Sequence, residues 1–355
     1  MTFATPITQR NTSKWLSILV PVYKVEAYLH ECALSILAQA DADVEILFLD
    51  DASPDGSAAI LKDLQHSHPH QVRLLRHDLN KGISAARNAL LKAAQGEHIW
   101  FIDADDTLES GALAKLKHII DTHSPDLVLC DFRRLQDDGD GRARFLDEHI
   151  ASFQGPSNEA LKDPNLLITG LFQTGQWHPW SKIVRRSAWP SALAFPEGRI
   201  FEDLAVFPRL VLRIQSFYHA KQVWMVYRQR PGSALSGLTE THLTEWMQAL
   251  AGYAKEIELA LIPLSQSTRF EIAHFGARTF IRASKKLHHF KTPTANKSLS
   301  HFAKLWQSAS PLTSSKLISG YLLRGRWLRA LQFMFWMRLS QSHRKTSPPA
   351  VPPQA

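Results

Sequence analysis

Cys32 and Cys130 are the only cysteines in this 355-residue chain, too few for a disulfide framework and without a Cys-x-x-Cys pair for zinc. A reducing cytosol fits that usage. Long apolar runs are missing as well. A membrane span needs about 18 to 20 uncharged apolar residues, and the longest candidate, Ala330 to Met337, is closed by Arg329 and Arg338. Met1 to Lys14 is polar, with no apolar run leading into small residues, so no secretory leader is predicted. Acid is absent from the last part of the chain. Glu271 is the final carboxylate, and 14 Lys and Arg follow it. The whole chain carries +8, so removing those 14 leaves −6 for the remainder. Such segregation predicts an acidic catalytic body and a basic C-terminal region facing an anionic partner.

The first 130 or so residues alternate between two periodicities. Apolar runs at Leu16–Val22, Val44–Leu49, Val72–Leu75, His98–Ile102 and Leu127–Asp131 read as buried strands. Between them lie helical patterns from Val25, at Ser57–Gln65, at Ser84–Ala94 and at Gly111–Asp121. This alternation predicts an α/β fold with a mostly parallel central sheet flanked by helices. Ligands of such sheets bind beyond the carboxyl ends of the strands. The polar residues fall there: Tyr23, then Asp50 and Asp51, then His77 and Asn80, then Asp103, Asp105 and Asp106. Gln136 to Arg144 reads as a loop, and Phe153 to Arg230 as irregular substructure completing the cleft. After Thr239 the spacing of Leu243, Trp246, Met247, Leu250 and Tyr253 predicts an amphipathic helix.

The three carboxylates of Asp103-Ala104-Asp105-Asp106 repel one another unless a cation or solvent relieves them. Mg2+ or Mn2+ takes oxygen ligands and leaves positions open for phosphate. The other reading is an acidic turn in which Asp106 or Thr107 caps the next helix.

Four segments in order, Ser17-Ile-Leu-Val-Pro-Val-Tyr23, Leu49-Asp-Asp-Ala-Ser-Pro-Asp-Gly-Ser57, Asn80-Lys-Gly-Ile-Ser-Ala-Ala-Arg-Asn88 and Ile102-Asp-Ala-Asp-Asp106, resemble glycosyltransferase family 2 over roughly residues 15 to 235. The resemblance implies the GT-A fold and an inverting transfer from a nucleotide-sugar donor. It implies that Pro21, Val22 and Tyr23 line the nucleotide pocket with Glu26 close by, and that Asp50 or Asp51 binds base or ribose. It further implies that Asn80, Gly82 and Arg87 shape the sugar-nucleotide cleft, with Asp103 on ribose or metal and Asp105 as principal ligand of Mn2+ or Mg2+. The alternatives are a turn glycine at Gly82 and a surface ion pair at Arg87.

Phe201-Glu202-Asp203-Leu204 resembles the family's Glu-Asp motif, making Asp203 the expected base and Glu202 a neighbour of the acceptor; a helix N-terminus favouring acid is the alternative. Trp177-His-Pro-Trp180-Ser-Lys182 followed by Arg185-Arg186 resembles a Trp-x-Lys-x-x-x-Arg pattern. Trp177 or Trp180 would then line the acceptor site, if neither is simply core. Tyr227-Arg228-Gln229-Arg230-Pro231-Gly232-Ser233 resembles a loop near the donor diphosphate, which implicates Arg228, Arg230 and Ser233. A Gln-x-x-Arg-Trp motif is absent, which argues for single additions over polymerisation.

The resulting division is a tail at 1–14, a GT-A catalytic domain at 15–238, a basic helical C-terminal region at 239–345 and a disordered tail at 346–355. Lys316 to Lys345 holds seven Lys or Arg among Ile318, Tyr321, Leu322, Trp327, Leu328, Leu331, Phe333, Phe335 and Trp336. It reads as a helix at a membrane surface, or as a terminal helix on the protein's own core. The expected partners are a nucleotide sugar, a glycan or lipid-linked acceptor such as lipopolysaccharide, and the inner face of the plasma membrane, reached from the cytoplasm. No nucleic-acid module is present. A nucleotidyltransferase, or a degenerate membrane- or nucleic-acid-binding protein on the same scaffold, are the rival readings.

Overall fold

The computed structural model describes residues 14–138, 143–230, 237–290 and 294–342. The expected tail at 346–355, Ser233, Lys345 and all of the expected tail at 1–14 but Lys14 lie outside them. The first half runs β1 (Leu16–Val22), α1 (Glu26–Leu37), β2 (Val44–Asp50), α2 (Ser57–Ser67), β3 (Val72–Arg76), α3 (Ile83–Ala93), β4 (His98–Phe101), β5 (Thr107–Leu108), α4 (Ala112–His123) and β6 (Leu127–Asp137). Next come β7 (Ala143–Ile150), β8 (Ala160–Leu161), α5 (Pro164–Thr174), β9 (Lys182–Arg185), α6 (Glu202–Val211) and β10 (Phe217–Gln229). Six helices follow among the described residues: α7 (Glu240–Gln248), α8 (Tyr253–Leu259), α9 (Gln266–Phe290), α10 (Ala295–Ala309), α11 (Ser314–Leu323) and α12 (Trp327–Ser342).

One sheet has the order β3-β2-β1-β4-β9-β6-β10-β5. The half β3-β2-β1-β4 is parallel, as the alternating pattern predicts. The other half is mixed: β6 and β10 are parallel, but β9 is antiparallel to both β4 and β6, and β5 to β10. Strand order reverses at β1, whose neighbours β2 and β4 lie on opposite sides. That reversal opens a crevice beyond the strand ends.

Side chains alternate across the sheet. Ile18, Val20, Ile46 and Phe48 pack into the layer of α1, α2 and α4, while Leu19, Leu47 and Leu49 pack into the layer of α3, α5 and α6. A third cluster joins α7 and α9 to α10, α11 and α12. The long α9 docks this region on the body, Phe275 meeting Phe172 of α5 and Trp177.

Two expectations need correction. Phe153 to Arg230 is mostly regular, containing α5, α6 and the 13-residue β10. Its apolar residues point to two different layers, which blurs a single-period pattern. Gln136 to Arg144 is partly the ends of β6 and β7, where charged residues sit on an edge that one face leaves in solvent.

Of the two readings of the C-terminal segment, the structure shows packing on the protein's own core. Ala330, Phe333, Trp336 and Met337 of α12 are buried in the third cluster, so the helix packs on the protein's own core. Leu322, Trp327, Leu328, Leu331 and Phe335 remain exposed. Among the described residues no helix is long and apolar enough to cross a membrane.

Candidate active site

A cleft of about 460 Å³ lies at the crevice between β1 and β4. Its walls include Pro21, Val22 and Tyr23 from the end of β1, Asp51 after β2, and Asn80, Gly82 and Arg87 around the start of α3. Asp103 and Asp105 follow β4; Glu202 and Asp203 open α6; Trp180 and Arg230 complete the lining. Thirteen of the sequence-expected residues therefore converge on one hollow.

Asp51 organises one wall of the cleft. Its buried carboxylate accepts the Lys81 and Gly82 backbone N–H groups at 3.0 and 2.8 Å and Asn80 Nδ2 at 3.0 Å, and it meets His77 Nδ1 at 2.6 Å. Gly82 needs its φ of 85° and ψ of 167° to make that turn, a backbone region essentially restricted to glycine. The structure thus separates the two candidates. Asp51 faces the cleft, whereas Asp50 accepts the Ser53 N–H at 2.8 Å and lies 3.5 Å from Arg76, serving the loop.

Arginines relieve the acidic cluster. Arg87, buried, donates to Asp103 Oδ1 at 2.9 Å and to Glu202 Oε1 at 2.5 Å. Arg230 donates to Asp105 Oδ2 at 2.7 Å. Asp106 is turned inward and accepts the Arg228 backbone N–H at 2.8 Å. Asp106 caps no helix, since Thr107 enters β5 and α4 begins only at Ala112. Burial, then the like charge of Asp103, pushes the Asp105 carboxyl up.

A metal fits this donor set only as a guest. Among the described residues no group of three or more His, Cys, Asp or Glu could hold an ion. Two carboxylates do face the cleft, Asp103 at 30% and Asp105 at 23% side-chain exposure. Mg2+-type ions are held by one or two carboxylates plus substrate phosphates, so a cation arriving with a diphosphate suits these residues and a resident one does not.

Asp203 sits in the first turn of α6, its Oδ1 accepting the Leu204 N–H at 2.6 Å and its Oδ2 4.0 Å from His178 Nδ1. Burial pushes the Asp203 carboxyl up, against the pull of Arg87 and Lys182. His178 is pushed down to about 4 by burial and by Lys182, so it is neutral at pH 7 and leaves Asp203 without a cationic partner there. Buried Lys182, lowered to about 7 by burial, donates to the Gln176 and His178 carbonyls at 2.8 and 3.0 Å and so fixes the loop behind Asp203. Phe201, just before the pair, holds a left-handed φ of 62°, backbone strain of the kind that collects at functional sites.

Several expected residues lie elsewhere. Arg228 is pinned beneath the cleft by Glu31 at 2.6 Å and Asp137 at 3.0 Å, leaving no free fork for a diphosphate. Glu26 accepts the Gly56 N–H and holds the β2–α2 loop. Trp177 is core, packed edge-on against Phe172 at 4.9 Å. Trp180 is also buried, but it backs the cleft in an aromatic stack with His178 at 4.7 Å and Tyr227 at 5.5 Å. Tyr227 and His178 were not singled out by sequence as site residues. Only the stack, assembled from two distant segments, reveals them.

The fold is the GT-A fold. Solved structures support the fold, including residues 1–349 of S. aureus TarS in complex with UDP-GlcNAc (TM-score 0.64, 20% identity, 94% of this chain and 93% of that one). Residues 17–178 match Glycosyl transferase family 2. The chain carries a domain of that family and is a glycosyltransferase. It is similar to the uncharacterized glycosyltransferase EpsJ of Bacillus subtilis, 29% identical over 69% of this chain and 71% of that protein. It is also similar to the minor teichoic acid biosynthesis protein GgaB of Bacillus subtilis, 24% identical over 68% of this chain and 26% of that protein.

Proposed function

We propose that the chain is an inverting glycosyltransferase of cell-surface polysaccharide synthesis, moving a sugar from a nucleotide sugar to a hydroxyl of a glycan or lipid-linked acceptor. The convergence of Asp51, Arg87, Asp103, Asp105, Asp203 and Arg230 on one cleft carries this reading. The surface-polysaccharide setting is supported by the relative named for teichoic acid synthesis.

Pro21, Val22 and Tyr23 form the wall for the nucleotide, and the turn held by Asp51 borders it. Arg87 orients Asp103 and Glu202 together. A sugar hydroxyl is too weak an acid to ionise at neutral pH, so Asp203 takes its proton as the new bond forms. The acceptor oxygen attacks the anomeric carbon from the face opposite the leaving group, the bond to the diphosphate breaks, and the configuration inverts. Arg230, released from Asp105, is free to meet the departing phosphates. Asp103 and Asp105 would hold Mn2+ or Mg2+, whose charge would stabilise the leaving nucleoside diphosphate. His178 and Tyr227 offer ring surface to the acceptor.

The test is incubation with a panel of nucleotide sugars, Mn2+ and glycan acceptors, reading released nucleotide and the product's anomeric configuration by NMR. Nucleoside diphosphate is expected; release of pyrophosphate instead would favour a nucleotidyltransferase. Asp105→Ala should abolish transfer while the protein stays folded, and undiminished transfer by that variant removes the metal assignment.

A further inference from the structure

A second hollow of about 600 Å³ lies beside α9. Glu271, His274 and Arg278 of α9 form one wall, and Arg326, Trp327 and Arg329 at the α11–α12 corner form the other. Arg278 also borders a smaller hollow of about 150 Å³, which it shares with Arg282, Trp177 and Asp203. Arg278 therefore stands between the proposed base and the corner.

The charge of this region is unbalanced. Arg87, Arg209 and Arg228 each sit against a carboxylate. Among the described residues Arg278, Arg282, Arg326 and Arg329 have no ion-pair partner. Glu271 is the one carboxylate lining the hollow. The crowding is felt locally: burial, then Arg326, Arg278 and Arg329, pushes His274 down to about 3. Burial, Arg282 and Arg329 likewise lower Arg278. Guanidinium forks match phosphate oxygens bidentately, and a bound phosphate would relieve the mutual repulsion.

The rim is apolar. Trp327 and Leu328 line the hollow and are still 66% and 68% exposed, with Leu323 and Leu331 exposed nearby. A soluble phosphate would use only the arginines. Uncompensated cations beside an unpartnered apolar rim complement a molecule with a phosphate head and a hydrocarbon body.

We propose that this hollow seats the head group of a lipid phosphate or diphosphate, its hydrocarbon lying on Trp327, Leu328 and Leu331, and that Arg278 thereby brings a lipid-borne acceptor sugar toward Asp203. The second half of this statement rests on the transfer reading above; the lipid seat does not.

The test is flotation of the full chain with phosphatidylcholine vesicles, with and without phosphatidic acid, together with thermal shifts on inorganic pyrophosphate. The chain should float only with the anionic vesicles, and pyrophosphate should compete. Arg278→Gln with Arg329→Gln should reduce capture by about tenfold or more, whereas Lys62→Gln with Lys92→Gln, remote on exposed helix faces, should not. Leu328→Ser with Leu331→Ser alters exposed side chains and should lose vesicles yet keep pyrophosphate. Equal losses from the lysine and arginine pairs would mean unspecific charge and overturn the seat. Pyrophosphate binding by a chain that ignores anionic vesicles would identify a free-phosphate site and overturn the lipid. Thermal shifts with nucleotide sugars on the same protein read the donor cleft separately, so a failed lipid seat and a failed transferase reading give different results.

Discussion

At the scale of single residues, the proposed chemistry turns on how one carboxylate would be kept available as a base. The helix dipole of α6 and the charges of Arg87 and Lys182 favour an ionised Asp203, and burial opposes them and prevails. The base works deprotonated, so a raised pKa moves the acid limb of activity upward. The kcat/KM profile should therefore fall at a pH above the ordinary aspartate value of about 3.9, and a limb at or below that value would contradict the burial argument. Asp203→Asn keeps the shape and removes the base. It should lower kcat by about 10²- to 10⁴-fold with little change in donor KM, a split that steady-state kinetics measures directly. Motif order in the sequence suffices to nominate Asp203, because the pair at 202 and 203 follows the Trp-x-Lys pattern. The fates of Arg228 and Arg230 are invisible there. Arg228 lies within β10 and Arg230 just beyond its end, and only the packed structure pairs Arg228 with Glu31 and Arg230 with Asp105.

At the scale of elements, the loop between β3 and α3 shows how a strand exit becomes a binding surface. The Asp51 carboxylate ties down three consecutive residues, Asn80, Lys81 and Gly82. No atom lies within 4 Å of where a Gly82 Cβ would stand, so a side chain there clashes with nothing and only the backbone resists it. Gly82→Ala should accordingly destabilise the protein by about 1–3 kcal/mol and weaken donor binding, as read by urea unfolding and by donor KM. A neutral outcome for both would show that the turn relaxes freely. The first four strands and three helices are legible in the sequence since each carries a single apolar periodicity. β9 and β10 are not. Their partners come from distant parts of the chain, β9 pairing with β4 and β6 and β10 pairing with β5, β6 and β8.

At the scale of the whole molecule, charge is partitioned. The acidic cleft holds its cations as internal partners, while the basic C-terminal helices keep several of theirs uncompensated. A ligand that binds only the folded cleft stabilises it by mass action, about 2.7 kcal/mol at a hundred times its dissociation constant. Screening nucleotide sugars by thermal shift should single out one donor, with a larger shift when Mn2+ is present. Equal shifts with and without the ion would argue that Arg230, and no metal, meets the phosphates.

The sequence by itself determined the parallel half-sheet, the polar strand exits and the ordered motifs, because local periodicity and turn chemistry are written into consecutive residues. Tertiary structure alone decided which aspartate faces the cleft, which tryptophan backs it, and how α12 divides its apolar residues between core and surface. Those outcomes depend on pairings between segments far apart in the chain, where burial and the position of a counter-charge are set only once the layers have packed.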